Sequence, residues 1–258
     1  MTREKPKLES ALLRHEGRPG LSLGTMNFGK RTPEADAVRI MERAVERGVT
    51  LFDTANAYNG GESERITGRF LRSNPSVLVA TKVGFGRVNG APEGLRPERV
   101  LAACDESLER LGVDHIDLYY LHVPDHAVPI DETLGAVQEL ATAKKIGALG
   151  ISNYASWQAL ELMLACDRLG LARPVVAQQL YNLLIRQLDL EYFRFARRYA
   201  LPTTVYNPLA GGLLSGRYQA RAVVPKGSRF EKNQLYLGRY WSSLMLDSSG
   251  KYLEIAKK

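Results

Sequence analysis

The sequence predicts an α/β protein, a (β/α)8 TIM barrel whose eighth β/α unit is missing from the chain. Two observations favour a parallel sheet: short apolar segments alternate with amphipathic segments along the 258 residues, and the connections between them are short. A third observation counts against the alternative, an open doubly wound sheet, because the GxGxxG fingerprint expected after its first strand is absent. We therefore expect one barrel domain over residues 1–258, incomplete at its carboxyl end.

Seven short segments are predicted to be strands, and the third of them is apolar and β-branched, as a strand covered on both faces should be. In chain order they are Leu21 to Asn27, Thr50 to Ala55, Val77 to Val83, Ile116 to His122, Ile146 to Ser152, Val175 to Leu180 and Thr203 to Asn207. A helical pattern follows most of them, so the strands are expected to be parallel with right-handed crossovers.

Helical spacing of apolar residues predicts the segments between the strands. Thr32 can cap a first helix that has Pro33 at its first position and that ends at Gly48. Further helices are expected at Glu62 to Leu71, from Pro97 onward, after a cap at Asp131, at Ser156 to Leu169 and at Leu190 to Tyr199. Ser248 to Lys258 has the pattern of one more helix, and no eighth strand is predicted.

Composition excludes several classes of partner. The net charge of +7 could indicate nucleic-acid binding, but the basic residues are scattered and lack interleaved aromatic residues. A solvated basic surface, or a basic cleft for a polyanionic cofactor, accounts for the charge better. No run of apolar residues could span a membrane, and Cys104 and Cys166 resemble reduced core thiols. We expect a cytoplasmic protein with neither nucleic acid nor membrane as a partner.

Four ionisable residues fall where the predicted strands end. Asp53 and Lys82 lie late in the second and third strands, His122 ends the fourth, and Tyr58 follows the second. Each residue alone has a structural explanation, such as a turn, a snorkelling side chain or core packing. Because barrel active sites form at the carboxyl ends of the strands, we expect the four to meet at one catalytic rim.

These four residues suit proton donation to a carbonyl oxygen. An unperturbed tyrosine, with a pKa of about 10, is a weak acid near neutral pH. Lys82 beside Tyr58 would lower that pKa, and Asp53 would hold the ammonium group in place. His122 could donate a hydrogen bond to the substrate oxygen. Protein side chains supply no two-electron donor, so the arrangement implies a hydride cofactor.

From Leu21 to about Trp241 the sequence resembles the aldo-keto reductase family, and most closely its aflatoxin-aldehyde and succinic-semialdehyde reductase branch. The resemblance rests on these segments: LGTMNFG, FDTANAYNGGESERITGRFL, ATKVG, SLERLGVDHIDLYYLHVPD, GALGISNYASW, QQLYNLLIRQ, YNPLAGGLLSGRY and HVPDHAVPIDETL. It implies an NADP(H)-dependent oxidoreductase on a (β/α)8 barrel that acts on small carbonyl substrates as an aldehyde reductase. Tyr58 would be the general acid, Asp53 and Lys82 would tune it, and His122 would orient the carbonyl.

The resemblance also assigns cofactor and substrate contacts. Ser152, Asn153 and Gln178 would hold the nicotinamide carboxamide, with Asp53 close by, and Tyr206 would stack on the ring. The segment after the seventh strand is either a flexible turn or a backbone site for the pyrophosphate. The resemblance favours the second interpretation for Asn207, Pro208, Leu209, Ala210, Gly211, Gly212, Leu213, Leu214, Ser215, Gly216 and Arg217.

Beyond that segment, GSRFEKNQLYLGRYW resembles a mobile loop of the same branch. Arg229 would face the cofactor phosphates, whereas Tyr236 and Arg239 would face the substrate together with Tyr58 and His122. A guanidinium group in the pocket would favour aldehydes that carry a carboxylate. A homodimer is compatible with this interpretation.

Two other functions remain open at this stage. A non-catalytic protein, like the channel-associated β subunits of the same broad family, would bind the cofactor without turnover. An incomplete chain would lack the residues that grip the 2′-phosphate and adenine, and would be a deficient enzyme unless the sequence belongs to a longer protein. A metal-dependent hydrolase is disfavoured, since the four histidines form no H-x-H or H-E-x-x-H pair and no metal site is expected.

Overall fold

A computed structural model of the protein describes residues 5–12, 20–218 and 223–258. The main sheet of this part of the chain has seven strands, which follow the seven predicted segments. They are β1 (Ser22–Gly24), β2 (Leu51–Asp53), β3 (Leu78–Val83), β6 (Leu118–Leu121), β7 (Leu149–Ser152), β8 (Val176–Leu180) and β9 (Thr203–Tyr206). A separate antiparallel hairpin, β4 (Arg87–Val88) and β5 (Ala91–Pro92), lies between β3 and β6 along the chain.

The strand order is β1-β2-β3-β6-β7-β8-β9, so that, apart from the hairpin, each strand lies beside the next one in sequence. The pairs from β1 to β7 are parallel, with Asp53 opposite Ala80 and Lys82 opposite Tyr120. Parallel strands need crossover connections, which helices supply here. The predicted alternation of strands and helices is therefore confirmed, and the carboxyl ends of β2, β3, β6 and β7 lie at one edge of the sheet.

The helices of the described chain are α1 (Leu8–Leu12), α2 (Glu34–Glu46), α3 (Glu62–Ser73), α4 (Pro97–Leu111), α5 (Ile130–Thr142), α6 (Ser156–Leu169), α7 (Tyr192–Arg198), α8 (Gln234–Tyr240) and α9 (Ser243–Ala256). Seven of the nine helices in the described chain correspond to predicted helices with shifted ends, whereas α1 and α8 were not predicted. None of the nine combines the length and apolarity needed to cross a membrane, as far as the described residues extend.

Two predicted helix caps were wrong. Pro33 occupies the cap position of α2, because the backbone of Thr32 bonds instead to Asn27 and Gly29 in the preceding turn. Pro129 likewise precedes α5, and Asp131 lies inside the first turn, where its carboxylate accepts a hydrogen bond from Arg168 at 2.5 Å. A proline with fixed φ suits the start of a helix without a side-chain cap.

The carboxyl-terminal helices also differ from the prediction. The segment expected to be a loop contains α8, whose cap Asn233 accepts a hydrogen bond from the backbone N–H of Tyr236. Helix α9 begins at Ser243 rather than Ser248, after Ser242 caps it by accepting from Met245. Polar and glycine residues concealed α8 and the start of α9 in the sequence, because capping interactions decide where short helices begin.

The chain divides into two compact units, residues 1–177 with 199–204 and residues 178–198 with 205–258. The larger unit has a core that joins α1 to the sheet through Ala11, Leu51, Leu78, Ala80, Leu118, Tyr120 and Val176. The smaller unit has an aromatic-rich core around Phe230, Tyr236 and Tyr240. Cys104 and Cys166 are buried free thiols of the larger unit. The expectation of one barrel domain stays a prediction.

Candidate active site

Three of the predicted catalytic residues are buried at the carboxyl ends of neighbouring strands in the larger unit. Asp53 is the last residue of β2, Lys82 is the last but one of β3, and His122 follows β6 directly. Parallel pairing with a matched register brings these ends together. The predicted meeting of the strand ends is thus observed.

Lys82 is fully buried and bonded on several sides. Its ammonium group donates hydrogen bonds to the Asp53 carboxylate and to the Thr54 carbonyl oxygen, the latter at 2.6 Å. Burial alone would lower the pKa of Lys82, but the Asp53 carboxylate and the Tyr58 phenol, with a hydrogen bond to each, raise it above its ordinary value. Lys82 therefore stays protonated, and it places a positive charge beside Tyr58.

Tyr58 is held on a tightly constrained loop. It begins a 3₁₀ turn, Tyr58–Gly61, in which Asn59, Gly60 and Gly61 all have positive φ. The Asn59 side chain donates to the carbonyl oxygens of Met26 (2.9 Å) and Phe28 (2.7 Å), which ties this loop to the one after β1. The Tyr58 ring meets the His122 ring edge to face at 5.9 Å, and the Lys82 nitrogen lies 5.1 Å from its centroid.

His122 is a neutral imidazole in this setting. Burial and, to a smaller degree, the nearby Lys82 charge hold the pKa of His122 well below its ordinary value of 6.5. Its Nδ1 atom is buried without a hydrogen-bond partner among the described residues, and Phe85 packs against its ring at 5.0 Å. A neutral imidazole keeps one N–H, which can donate to a carbonyl oxygen.

The depressed pKa of His122 predicts a pH-dependent stability. Below about pH 6.5 the unfolded chain takes up a proton at this residue and the folded chain does not, so the free energy of unfolding should decrease on acidification. The extra slope, relative to His122→Gln, should approach about 1.4 kcal/mol per pH unit. Urea unfolding of both proteins between about pH 7 and pH 5 measures it. Equal slopes would show that His122 titrates normally.

Ser152 and Asn153 extend the site along the sheet edge. Ser152 ends β7 and is buried, and Asn153 follows it with φ 62°. The Asn153 amide donates to the His122 carbonyl oxygen at 2.9 Å and to Ser152 Oγ at 3.0 Å. A hydroxyl and a side-chain amide can both donate and accept, so this pair fits the carboxamide of a nicotinamide ring.

The remaining predicted cofactor residues lie in the smaller unit. Gln178 is buried on β8, Tyr206 ends β9, and the segment from 207 to 217 includes a 3₁₀ helix, Ala210–Ser215. Within this segment the Gly212 and Leu214 N–H groups both donate to the Leu209 carbonyl oxygen. Pyrophosphate binding at this segment stays a prediction.

Asn207 connects the residues predicted to face phosphate and substrate. Its side chain exchanges hydrogen bonds with the Tyr236 hydroxyl at 3.1 and 3.2 Å, and its Oδ1 accepts from Arg229 at 3.4 Å. The Arg229 guanidinium also lies over the Tyr236 ring at 5.2 Å. Tyr236 is buried, whereas Arg239 on α8 is half-buried. Their ligand roles stay predictions.

The residues that support the site were not predicted from the sequence. Phe85, Glu93 and Asn59 were not singled out, although Phe85 packs on His122, Glu93 bonds to the loop of Tyr58, and Asn59 ties that loop to the one after β1. One signal was available, because Asn89-Gly90 is the dipeptide typical of a two-residue hairpin and places Glu93 just beyond it. The described residues contain no group of three or more histidine, cysteine or acidic side chains that could hold a metal ion.

Comparison with known proteins agrees with this architecture. A sequence profile described as the aldo/keto reductase family matches residues 20–258. Aflatoxin B1 aldehyde reductase member 2 of Rattus norvegicus is 37% identical over 229 residues, which make up 87% of this chain and 62% of that protein. A probable voltage-gated potassium channel subunit beta of Arabidopsis thaliana is 30% identical, over 83% of this chain and 68% of that protein.

A solved structure supports the fold class. The glycerol dehydrogenase AKR11B4 of Gluconobacter oxydans superposes with a TM-score of 0.74 at 30% identity, over 92% of this chain and 73% of that one. The parallel sheet and this similarity define a protein of the (β/α) barrel class, as predicted. The chain belongs to the aldo/keto reductase family. It spans less than two thirds of the length of the rat relative.

Proposed function

We propose that this protein is an NADP(H)-dependent oxidoreductase that reduces aldehydes or ketones to alcohols. One observation carries the proposal: Tyr58, Lys82, Asp53 and His122 are in contact in the larger unit, with the lysine fully buried. A buried ammonium beside a phenol and a neutral imidazole has little structural benefit, because burying a charge is costly. The same set provides an acid and a hydrogen-bond donor for a carbonyl oxygen.

In this proposal Tyr58 donates the proton that the carbonyl oxygen acquires on reduction. Lys82 stabilises the phenolate that remains, and Asp53 keeps the ammonium group in position. His122 donates its N–H to the carbonyl oxygen and aligns it with Tyr58. A nicotinamide cofactor, when bound, supplies the hydride, and Ser152 and Asn153 would hold its carboxamide.

The finer assignments rest on the family resemblance. The choice of NADP(H), and the contacts from Gln178, Tyr206, Arg229 and the segment from 207 to 217, are proposed on that basis. The net charge of +7 is compatible with a polyanionic cofactor. For the substrate, the rat relative is described as an aldehyde reductase. Arg239 would favour an aldehyde with a carboxylate, because a guanidinium group can bind one in a bidentate manner.

The test is a nicotinamide absorbance assay. Binding of NADPH and NADH is titrated first, and turnover is then measured on aldehydes matched in size, with and without a carboxylate. We expect tighter binding of NADPH and a lower KM for the carboxylated aldehydes. Binding of either cofactor without turnover on any aldehyde or ketone would contradict the proposed reductase. Equal KM values for the carboxylated and uncarboxylated members of each pair would contradict the proposed binding of a substrate carboxylate by Arg239.

A second function has a specific observation behind it. The Arabidopsis thaliana relative is described as a channel subunit, so proteins with similar sequences are not all described as reductases. In the alternative, this chain binds a nicotinamide cofactor without appreciable turnover. The two functions are separated by the same assay, because only the reductase consumes NADPH when an aldehyde is added.

A further inference from the structure

Glu93 presents a buried carboxylate to two loops of the candidate site. Its Oε1 accepts a hydrogen bond from Asn56 Nδ2 at 2.6 Å, and its Oε2 accepts from the N–H groups of Gly84 and Gly86 at 2.8 and 3.2 Å. The Arg99 guanidinium lies 3.3 Å from Oε1, and only 3% of the Glu93 side chain is exposed. The cost of burying this carboxylate is thus offset by three hydrogen bonds and one ion pair.

The hairpin β4–β5 positions the Glu93 carboxylate. Asn89 and Gly90 both have positive φ, as a tight two-residue turn requires, and the returning strand places the Glu93 N–H 2.9 Å from the Gly86 carbonyl oxygen. Gly86 leaves little room for a side chain, because a Cβ atom there would lie 3.1 Å from Glu93 Oε2. Backbone and side chain of Glu93 therefore fix the same short loop.

Both loops held by Glu93 lead to candidate catalytic groups. Asn56 lies two residues before Tyr58, and its own N–H donates to the Lys82 carbonyl oxygen at 3.2 Å. Gly84 and Gly86 flank Phe85, whose ring packs against His122 at 5.0 Å. One carboxylate thereby connects the loop that carries the proposed acid with the loop that packs on the proposed carbonyl-orienting histidine.

We propose that Glu93 is a positioning residue for carbonyl reduction, acting through Asn56 on Tyr58 and through Phe85 on His122. This inference rests on the proposed function. Catalytic groups must be held within a fraction of an ångström of their productive positions, so loosening both loops at once should slow the chemical step more than it weakens cofactor binding.

Asp117 offers a matched control. It is also a buried carboxylate that accepts a backbone N–H, from Val79 at 2.8 Å, and it also forms an ion pair, with Lys5 at 3.1 Å. It lies just before β6, at the opposite end of that strand from His122. Removing either carboxylate should destabilise the fold, but only Glu93 contacts the loops of the site.

The experiment compares Glu93→Ala, Glu93→Gln and Asp117→Ala at a temperature where circular dichroism shows each to be folded. Glu93→Ala should lower kcat about 100-fold with little change in the dissociation constant for NADPH, whereas Asp117→Ala should keep kcat near that of the wild type. Glutamine still accepts from both glycine N–H groups, so Glu93→Gln should recover most of the lost kcat with an unchanged pH profile. If Glu93→Ala does not fold, Asn56→Ala replaces it and should also lower kcat.

Three kinetic results would overturn the inference. They are an equal loss of kcat in Glu93→Ala and Asp117→Ala, a failure of glutamine to restore kcat, and a shifted pH profile in Glu93→Gln. A shifted pH profile would mean that Glu93 affects the reaction through its charge rather than through its hydrogen bonds.

A second readout does not require turnover. The chain has only four histidines, so the His122 ring can be assigned by NMR with a His122→Gln variant. In Glu93→Ala the pKa of His122 should rise toward its ordinary value as Phe85 loosens, and in Asp117→Ala it should not. A wild type without any reductase activity would refute the proposed function, and an unchanged His122 titration in Glu93→Ala would refute the positioning by Glu93.

Discussion

Tyr58→Phe is expected to lower kcat about 1,000-fold and to leave the dissociation constant for NADPH nearly unchanged. The substitution removes the phenolic proton but keeps the ring that lies against His122 and Lys82. Because proton donation occurs only in the transition state, kcat and kcat/KM should fall by similar factors. Steady-state kinetics with a fluorescence titration of NADPH measures both quantities.

Tyr119→Phe is the control for that substitution. Tyr119 is a fully buried residue of β6 whose hydroxyl donates to the Val100 carbonyl oxygen at 3.3 Å, away from the candidate site. Removal of the Tyr119 hydroxyl should lower the free energy of unfolding, because this hydrogen bond is lost, and should leave kcat almost unchanged. Near-normal turnover in Tyr58→Phe, or an equal loss in both variants, would refute the assignment of Tyr58 as the acid.

Lys82→Met should produce the largest loss of stability at the site. It leaves the Asp53 carboxylate buried without its cation, and breaking a buried ion pair in this way costs about 3–5 kcal/mol. Turnover should also be lost, because the phenolate of Tyr58 loses its neighbouring charge. Urea unfolding and the same reductase assay measure the two effects.

The double variant Asp53→Asn/Lys82→Met separates these effects. Neutralising both partners should restore much of the free energy of unfolding, since no uncompensated charge remains, but it should not restore turnover. Additive losses of stability in the double variant would show that the ion pair contributes little. Restored turnover without the lysine would remove its role in catalysis.

The candidate catalytic residues were predictable from the sequence because their positions depend on local features of the chain. Asp53, Lys82 and His122 each end a short apolar run, and parallel strands bring such ends together whatever the details of packing. Tyr58 follows within five residues of Asp53, so its loop has little freedom to place it elsewhere. The resemblance added roles to residues that the alternation of strands and helices had already grouped.

The supporting residues were not predictable because their partners are distant or belong to the backbone. Asn59 bonds to carbonyl oxygens more than 30 residues away, and Glu93 bonds to Asn56 across a separation of 37 residues. Helix α8 was missed for a related reason: its buried face, with Tyr236 and Tyr240, packs on residues distant in sequence. A local sequence pattern does not predict the conformation of a segment where tertiary contacts select it.

The burial of both cysteine thiols determines how the protein can be labelled chemically. Burial raises the pKa of Cys104 to about 12 and that of Cys166 to about 11, so neither forms appreciable thiolate near neutral pH. Maleimide reagents should therefore react little with the native chain. A cysteine introduced at the exposed position of Arg87 could then be labelled with a fluorophore without first replacing Cys104 and Cys166. A fluorophore at position 87 would report on the hairpin that precedes Glu93.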